Sequence, residues 1–183
     1  MIIFMGVAGS GKSSQGRMLA DELGLPWLST GEFLRMLIAG KRRQEMLSGK
    51  LLDDTEIIAM VRKIFSVVDL DHEFVLDGFP RTENQAEWLL GEVKYGQLNV
   101  TAVIHLQADE SVVESRLLER ARPDDYREAI KERFSEYEQS VKPILVSFQN
   151  SGVPVYNING EQDPDSVHQE ILSTLKDVHV YKN

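Results

Sequence analysis

A stretch of backbone almost bare of side chains, fed by an apolar run and closed by a lysine, leaves few folds open. Residues 5–19 read MGVAGSGKSSQGRML, with glycines at 6, 9, 11 and 16, and MIIFM occupies positions 1–5. From Gly6 through Gly11, Lys12 and Ser13 the spacing fits G-x-x-x-x-G-K-[ST] in full. It predicts a strand, a tight loop and a helix opening at about Lys12. Glycines permit positive φ and let a bulky anion approach the main chain. Successive N–H groups then form a nest, backed by the positive end of a helix dipole. Gly9, Ser10 and Gly11 would line that nest, Lys12 would reach the β- and γ-phosphates, and the Ser13 or Ser14 hydroxyl could ligate Mg²⁺. An ordinary glycine-rich turn is the competing reading, and the flanking strand and helix weigh against it. The expected ligand is a nucleoside triphosphate, ATP first.

Near-continuous apolar runs recur along the chain at 1–5, 26–29, 73–77, 100–106 and 153–158. Amphipathic segments fill the intervals at about 12–23, 30–39, 53–67, 82–93, 109–120, 124–150 and 163–177. The last opens DPDS, with Asp163 as cap and Pro164 at the first helical position. Buried strands alternating with helices predict a parallel sheet covered on both faces. A length of 183 residues suits one buried domain with a small insertion, and the strand-free stretch near 30–60 is the place for a helical flap. The absence of cysteine removes disulfides, thiolate zinc sites and thiol nucleophiles, and suits a reducing, cytoplasmic setting. MIIFMGV lacks a basic leader and is too short to span a bilayer. A net charge of −9 argues against a broad nucleic-acid or membrane surface, so any polyphosphate site must concentrate positive charge locally.

Three further stretches carry candidate chemistry. FVLDGFPRT (74–82) ends an apolar strand in Asp77, as a Mg²⁺-supporting carboxylate does beside a phosphate loop. Gly78 turns the chain, Pro80 stiffens it and Arg81 projects at the sheet edge where ligands collect. A plain Asp-Gly turn with a surface arginine is the competing, weaker reading of this stretch alone. STGEFLR (29–35) sets Arg35 on the first turns of a helix, where an exposed arginine is the simpler reading. In 114–137, Arg116 and Arg120 share a helix face; Pro123 separates them and Arg122 from Arg133. Alone, that segment reads as a salt-bridged helical hairpin whose acids, Asp124, Asp125 and Glu128, orient guanidinium groups.

Together these stretches resemble the adenylate kinase family of nucleoside monophosphate kinases, from residue 1 to about 177. GVAGSGKSSQG is similar to its phosphate loop and LSTGEFLR to its Ser-Thr-Gly-Asp-x-x-x-Arg acceptor motif. LDGFPRTENQ matches Asp-Gly-Phe-Pro-Arg-Thr-x-x-Gln, and RLLERARPDDYREAIKERFSEY resembles the arginine-bearing lid and the helix after it. INGEQDPDSV resembles the last strand and the loop beside the ATP base. The resemblance implies an α/β, P-loop NTPase fold with five parallel strands and helices on both faces. It implies a single domain over 1–183 with a nucleoside-monophosphate flap at about 30–60 and a minimal lid near 119–123. The implied reaction is Mg·ATP + AMP ⇌ 2 ADP, catalysed by a monomer. Lys12, Arg81, Arg116, Arg120, Arg122 and Arg133 would gather round the phosphates, and Gln162 would lie beside the ATP base. Thr30, Arg35, Leu52, Gly78, Arg81, Gln85, Arg122 and Arg133 would form the AMP side, with Ser13 and Asp77 holding Mg²⁺ largely through water.

That chemistry needs no general base, because the attacking phosphate oxygen is already ionised. Two polyanions must be aligned and the transferred charge stabilised away from water. Guanidinium forks suit phosphate oxygens and keep their charge. Gln85 offers a donor and an acceptor matching adenine N1 and its 6-amino group, although a flipped amide would suit another base. Related uridylate/cytidylate kinases usually have alanine at Thr30 and asparagine at Gln85. A kinase for UMP, CMP or dAMP, a small-molecule kinase and a non-catalytic nucleotide-binding module are the rival readings.

Several positions depart from the family pattern: Ala8 for proline, Ser13-Ser14 for Gly-Thr, and Gln162 for a frequent lysine. The flap is about one and a half helical turns short, and no zinc hairpin fits between Glu119 and Ala121. His105 is expected as a hydrogen-bonded strand residue and His72, His168 and His179 at the surface. Trp27 and Trp88 are expected to pack, and GKRRQEM (40–46) to form a solvated helix.

Overall fold

The computed structural model describes residues 1–40, 43–44, 52–176 and 178. Five strands form one all-parallel sheet: β1 (Ile2–Met5), β2 (Trp27–Ser29), β3 (Val75–Asp77), β4 (Ala102–Gln107) and β5 (Val155–Asn159), in the order β2-β3-β1-β4-β5. Seven helices accompany them among the described residues: α1 (Lys12–Leu23), α2 (Thr30–Leu37), α3 (Asp54–Phe65), α4 (Glu83–Lys94), α5 (Glu110–Arg120), α6 (Arg127–Asn150) and α7 (Pro164–Leu175).

Alternation along the central strand explains the layering. Ile3 and Met5 of β1 join Leu76 and Val103 beneath α3, α4 and α6, where Ile57, Val61, Leu89, Ile144 and Phe148 are buried. Ile2 and Phe4 face the other way, with Val75, Ile104 and Leu106, onto Leu19 of α1 and Ile171 of α7. Both faces of β1 are therefore dry, which is why MIIFM reads as an unbroken apolar run. A third, smaller cluster of Val7, Val113, Leu117 and Ile130 seats α5 and α6 against the glycine loop.

Helix starts follow their side-chain caps. Ser29, Asp53, Thr82 and Asp163 each accept a backbone N–H from their own first turn. The helix expected from 124 begins only at Arg127, because Asp125 N–H turns back to the Arg122 carbonyl at 2.9 Å after Pro123. No helix among the described residues is long and apolar enough to cross a membrane. The sheet order runs outward from β1 in both directions, so a crevice opens at its carboxyl end, where the glycine loop begins.

Candidate active site

The loop leaving β1 is shaped by close approaches. A Cβ on Gly6 (φ +151°) would lie 2.6 Å from both the Leu106 carbonyl and Ser10 Oγ. One on Gly9 (φ +91°) would press Leu117 at 3.0 Å, so neither position has room for a side chain. Gly11, left-handed at φ 98°, caps α1 without a side-chain acceptor, leaving the first N–H groups of the helix open. The Ser10 hydroxyl is buried without a hydrogen-bond partner among the described residues. Gly9 to Gln15 line one compartment with Arg116, Arg120 and Gly160 to Pro164.

Lys12 reaches from α1 into the crevice. Among the described residues its ammonium has one hydrogen bond, to the Val7 carbonyl at 3.4 Å, and no carboxylate partner. Loss of hydration pushes its pKa from the ordinary 10.5 down to about 8; Asp77 opposes this, while Arg81, Arg120 and Arg133 reinforce it. Asp77, at the end of β3, accepts from Ser13 Oγ at 2.6 Å and Ser29 Oγ at 3.1 Å. Its Oδ1 is buried with no hydrogen-bond partner among the described residues.

A second compartment, sharing Lys12, Ser13 and Arg120 with the first, is lined by Arg35, Gly78, Arg81, Arg122 and Arg133. Five arginines from α2, the β3–α4 loop, α5, the α5–α6 link and α6 thus face one cavity. Most are held by acids. Asp125, whose side chain is wholly buried, takes Arg120 through Nε at 2.8 Å and Nη2 at 2.7 Å. It also accepts the Arg122 backbone N–H at 3.1 Å and lies 3.5 Å from Arg133 Nη1. Asp124 takes Arg133 Nη2. Burial raises the Asp124 carboxyl, but Arg133 overrides it and leaves the group below its ordinary range. Glu32 Oε1 bridges Arg35 at 2.7 Å and Arg122 at 3.3 Å, and the Arg35 hydrogen bond holds its carboxyl low.

Arg81 differs. Its Nε donates to the Gly78 carbonyl at 2.8 Å and no acid pairs with it among the described residues. It stands open to the cleft yet is crowded by protein, and poor hydration, with Arg133 and Arg35 nearby, lowers its pKa. Arg116 donates to the Gly160 and Glu161 carbonyls at 2.7 and 3.3 Å, in the first compartment.

Three expected contacts lie behind the cavity lining. Thr30, 2% exposed, donates to the Gly78 carbonyl at 2.8 Å. Gln85, also 2% exposed, is engaged by Arg81 N–H and Asp54. Leu52 is half-buried against the α3–α4–α6 core. Gln162 lines the first compartment, with its amide donating to Glu170 at 2.7 Å. Lys41, Arg42, Glu45 and Met46 of the basic run, residues 47–51 of the flap, and His179 fall outside the described residues.

His168 departs from expectation: it is 6% exposed, with Nε2 2.7 Å from Glu22 Oε2. It shares a helix face with Ile171 and Leu175, so the i, i+3, i+7 spacing carried the signal. His105 lies in β4, bonded through Nδ1 to Asn157 at 2.7 Å and through Nε2 to the Tyr137 hydroxyl on the cavity wall. Trp27 packs under Arg17 and Trp88 between Phe65 and Phe79. Sequence reading missed Glu32, Asp54, Tyr137 and Gly160. Only Gly160 left a local trace, as a glycine closing a strand; a Cβ there would lie 2.6 Å from the Ser10 carbonyl.

A family model described as adenylate kinase matches residues 4–153. The chain belongs to the adenylate kinase family. An adenylate kinase of Corynebacterium urealyticum is 34% identical over 180 residues, covering 95% of this chain and 98% of that protein. An adenylate kinase 2 of Nostoc sp. is 37% identical over 183 residues, covering 95% and 97%. An adenylate kinase of Archaeoglobus fulgidus is 28% identical over 214 residues, covering 97% and 98%. The Archaeoglobus alignment exceeds the 183 residues of this chain, so that adenylate kinase carries segments without a counterpart here.

Proposed function

We propose that this chain transfers the γ-phosphoryl group of Mg·ATP to AMP, reversibly, giving two ADP. The observation that supports it most is the meeting of Lys12, Arg35, Arg81, Arg120, Arg122 and Arg133 along one cavity, continuous with the glycine loop through Lys12 and Arg120. Such a cluster costs charge repulsion and desolvation, and only a pair of polyanions offsets that cost well.

In this reading the open N–H groups at Gly9 to Ser13 and the Arg116 guanidinium receive ATP, with Gln162 beside its base. Arg35 and Arg81 grip the AMP phosphate next to Gly78. Lys12, Arg120, Arg122 and Arg133 stabilise charge on the phosphoryl group in flight. Thr30 and Leu52 flank the AMP base and Gln85 reads it. The oxygen donors Ser13 Oγ and Asp77, with its unpartnered Oδ1, suit a hard cation that keeps most of its water. A Mg²⁺ ion held there would neutralise charge on the nucleotide's phosphates.

The domain reading is one kinase domain over 1–183 with two mobile parts, a flap at about 30–60 and a lid near 119–123. α2 and the first turns of α3 fall within the first, and the end of α5 with the start of the α5–α6 link within the second. Closure of these parts excludes water. The −9 charge and lack of cysteine support a cytoplasmic monomer without nucleic-acid or membrane partners.

A coupled assay of AMP, UMP, CMP and GMP with Mg·ATP tests the assignment. AMP is expected to be fastest, with Arg81→Ala lowering kcat/KM roughly 10³-fold or more at unchanged circular dichroism. Full activity in Arg81→Ala, or a pyrimidine winning, refutes it.

A further inference from the structure

Gln85 has a choice of orientation that its surroundings remove. A carboxamide carries two N–H donors and two acceptor lone pairs. One donor goes to Asp54 Oδ1 at 2.7 Å and one lone pair takes the Arg81 backbone N–H at 2.8 Å. One donor and one lone pair remain. Rotating the amide by half a turn sets NH₂ against the Arg81 N–H and the carbonyl oxygen against the Asp54 carboxylate. Gln85 is 2% exposed, so water cannot make good those losses.

We infer that Asp54 is a specificity-determining positioning residue that fixes the orientation of the Gln85 amide and so selects a 6-amino over a 6-oxo purine monophosphate. This rests on the proposal that Gln85 reads the acceptor base. Adenine presents an acceptor at N1 beside a donor at its 6-amino group. Hypoxanthine has the same outline with the order reversed, a donor at N1 and an acceptor at O6. A locked amide satisfies the first order and opposes the second, whereas a free amide flips and accepts either.

Asp54 is itself held for this task. Its Oδ1 also accepts Thr82 Oγ1 at 2.8 Å, and its Oδ2 accepts Asn84 Nδ2 at 3.2 Å. It opens α3, directly after the capping Asp53. The partners Thr82, Asn84 and Gln85 are the cap and first turn of α4. The carboxylate therefore ties the exit of the flap to the helix that presents Gln85. A carboxylate is the right group here, because it accepts everywhere and donates nowhere, so no rotation of Asp54 can welcome a flipped amide.

The test measures kcat and KM for AMP and IMP with Mg·ATP in the wild type, Asp54→Asn, Asn84→Ala and Gln85→Leu. Asparagine keeps the shape but can offer its NH₂ to a flipped Gln85 oxygen, so that only the Arg81 backbone N–H still opposes the flip and the larger, carboxylate part of the lock is removed. The expected result is an AMP-over-IMP preference in kcat/KM that falls at least tenfold in Asp54→Asn, carried by KM, with IMP gaining in absolute terms. Asn84→Ala removes a bond to the same carboxylate but leaves the lock, so its ratio stays at the wild-type value. An unchanged ratio in Asp54→Asn, or an equal drop in Asn84→Ala, overturns the lock. If Gln85→Leu keeps the wild-type ratio, the base-reading proposal for Gln85 fails instead. Should Asp54→Asn not fold, Asp54→Ser takes its place, since its hydroxyl also can donate to a flipped oxygen, and the same ratio decides.

Discussion

Replacing Lys12 by methionine should make the nucleotide-free protein more stable while destroying its activity. The Lys12 ammonium is half-buried, has one long bond to the Val7 carbonyl at 3.4 Å, and shares the cavity with Arg81, Arg120 and Arg133. Its pKa falls from 10.5 to about 8 because the charged form is poorly hydrated there. At ~1.4 kcal/mol per pH unit, that depression corresponds to roughly 3 kcal/mol against the folded state. Methionine keeps the apolar stem and drops the charge, so a gain of roughly 1–3 kcal/mol is expected at pH 6.5, after allowance for solvent in the open cleft. That gain amounts to a rise in Tm of roughly 3–9 °C for a chain of this size.

The sign has a pH signature. Below about 8 Lys12 is protonated in both folded and unfolded chains, and the folded state bears the full cost. Between about 8 and 10.5 the unfolded chain binds more protons, so wild-type stability gains on the variant as pH rises. Calorimetry without nucleotide at pH 6.5 and 9.5 reads both quantities. A methionine variant melting at or below the wild type at pH 6.5, or a gap that does not narrow at pH 9.5, refutes the desolvation argument.

The same ionisation should govern catalysis: kcat/KM for ATP falls above pH ~8 as free Lys12 deprotonates. kcat holds to higher pH, because bound phosphate favours the ammonium; direct chromatographic quantification of ADP across pH 6–10 checks both limbs. The acids should divide by burial. Asp125→Asn, at a wholly buried carboxylate on Arg120 and Arg133, is expected to cost roughly 3–5 kcal/mol of stability and at least tenfold in kcat. Glu32→Gln, where the paired side chains are 30–39% exposed, should leave the melt within about 0.5 kcal/mol and lower KM for AMP by removing an anion that competes for Arg35 and Arg122. Melting curves and AMP titrations of the two variants separate these outcomes.

What could be read from the letters was whatever a local rule governs. The glycine loop, the succession of apolar runs and amphipathic segments, and the cap at Asp163 each act within a few residues, and the sheet with its covering helices followed from them. Contacts between distant acids and the arginines carried no such mark. Glu32 meets Arg122 across 90 residues and Asp54 meets Gln85 across 31, and nothing in STGEFLR or LLDDTE distinguishes those carboxylates from solvated ones. Asp124 and Asp125 were legible only as a possibility, because an acid beside an arginine on a helical link is usually exposed, and here both are buried. Asp163 and Pro164 marked the start of α7, but the inward turn of His168 needed the partner helix α1.

The division among the acids explains how a chain of net charge −9 keeps a cationic cavity intact. Five guanidinium groups and an ammonium facing one space repel, and that repulsion alone would swing the side chains apart. Asp124 and Asp125 prevent it by fixing Arg120 and Arg133 from behind, in pairs sheltered from solvent where the attraction is strong. Glu32 holds Arg35 and Arg122 from a more exposed position, so a phosphate dianion can displace it at small cost. Lys12 and Arg81 are left without a carboxylate partner among the described residues and carry the uncompensated charge. On the proposed site assignment, substrate phosphates meet two classes of cation: a rigid pair anchored by buried acids, and a responsive set whose hydration or exposed partner they would replace. The second set spans α2 and the α5–α6 link, joined through the single Glu32 carboxylate that Arg35 and Arg122 share.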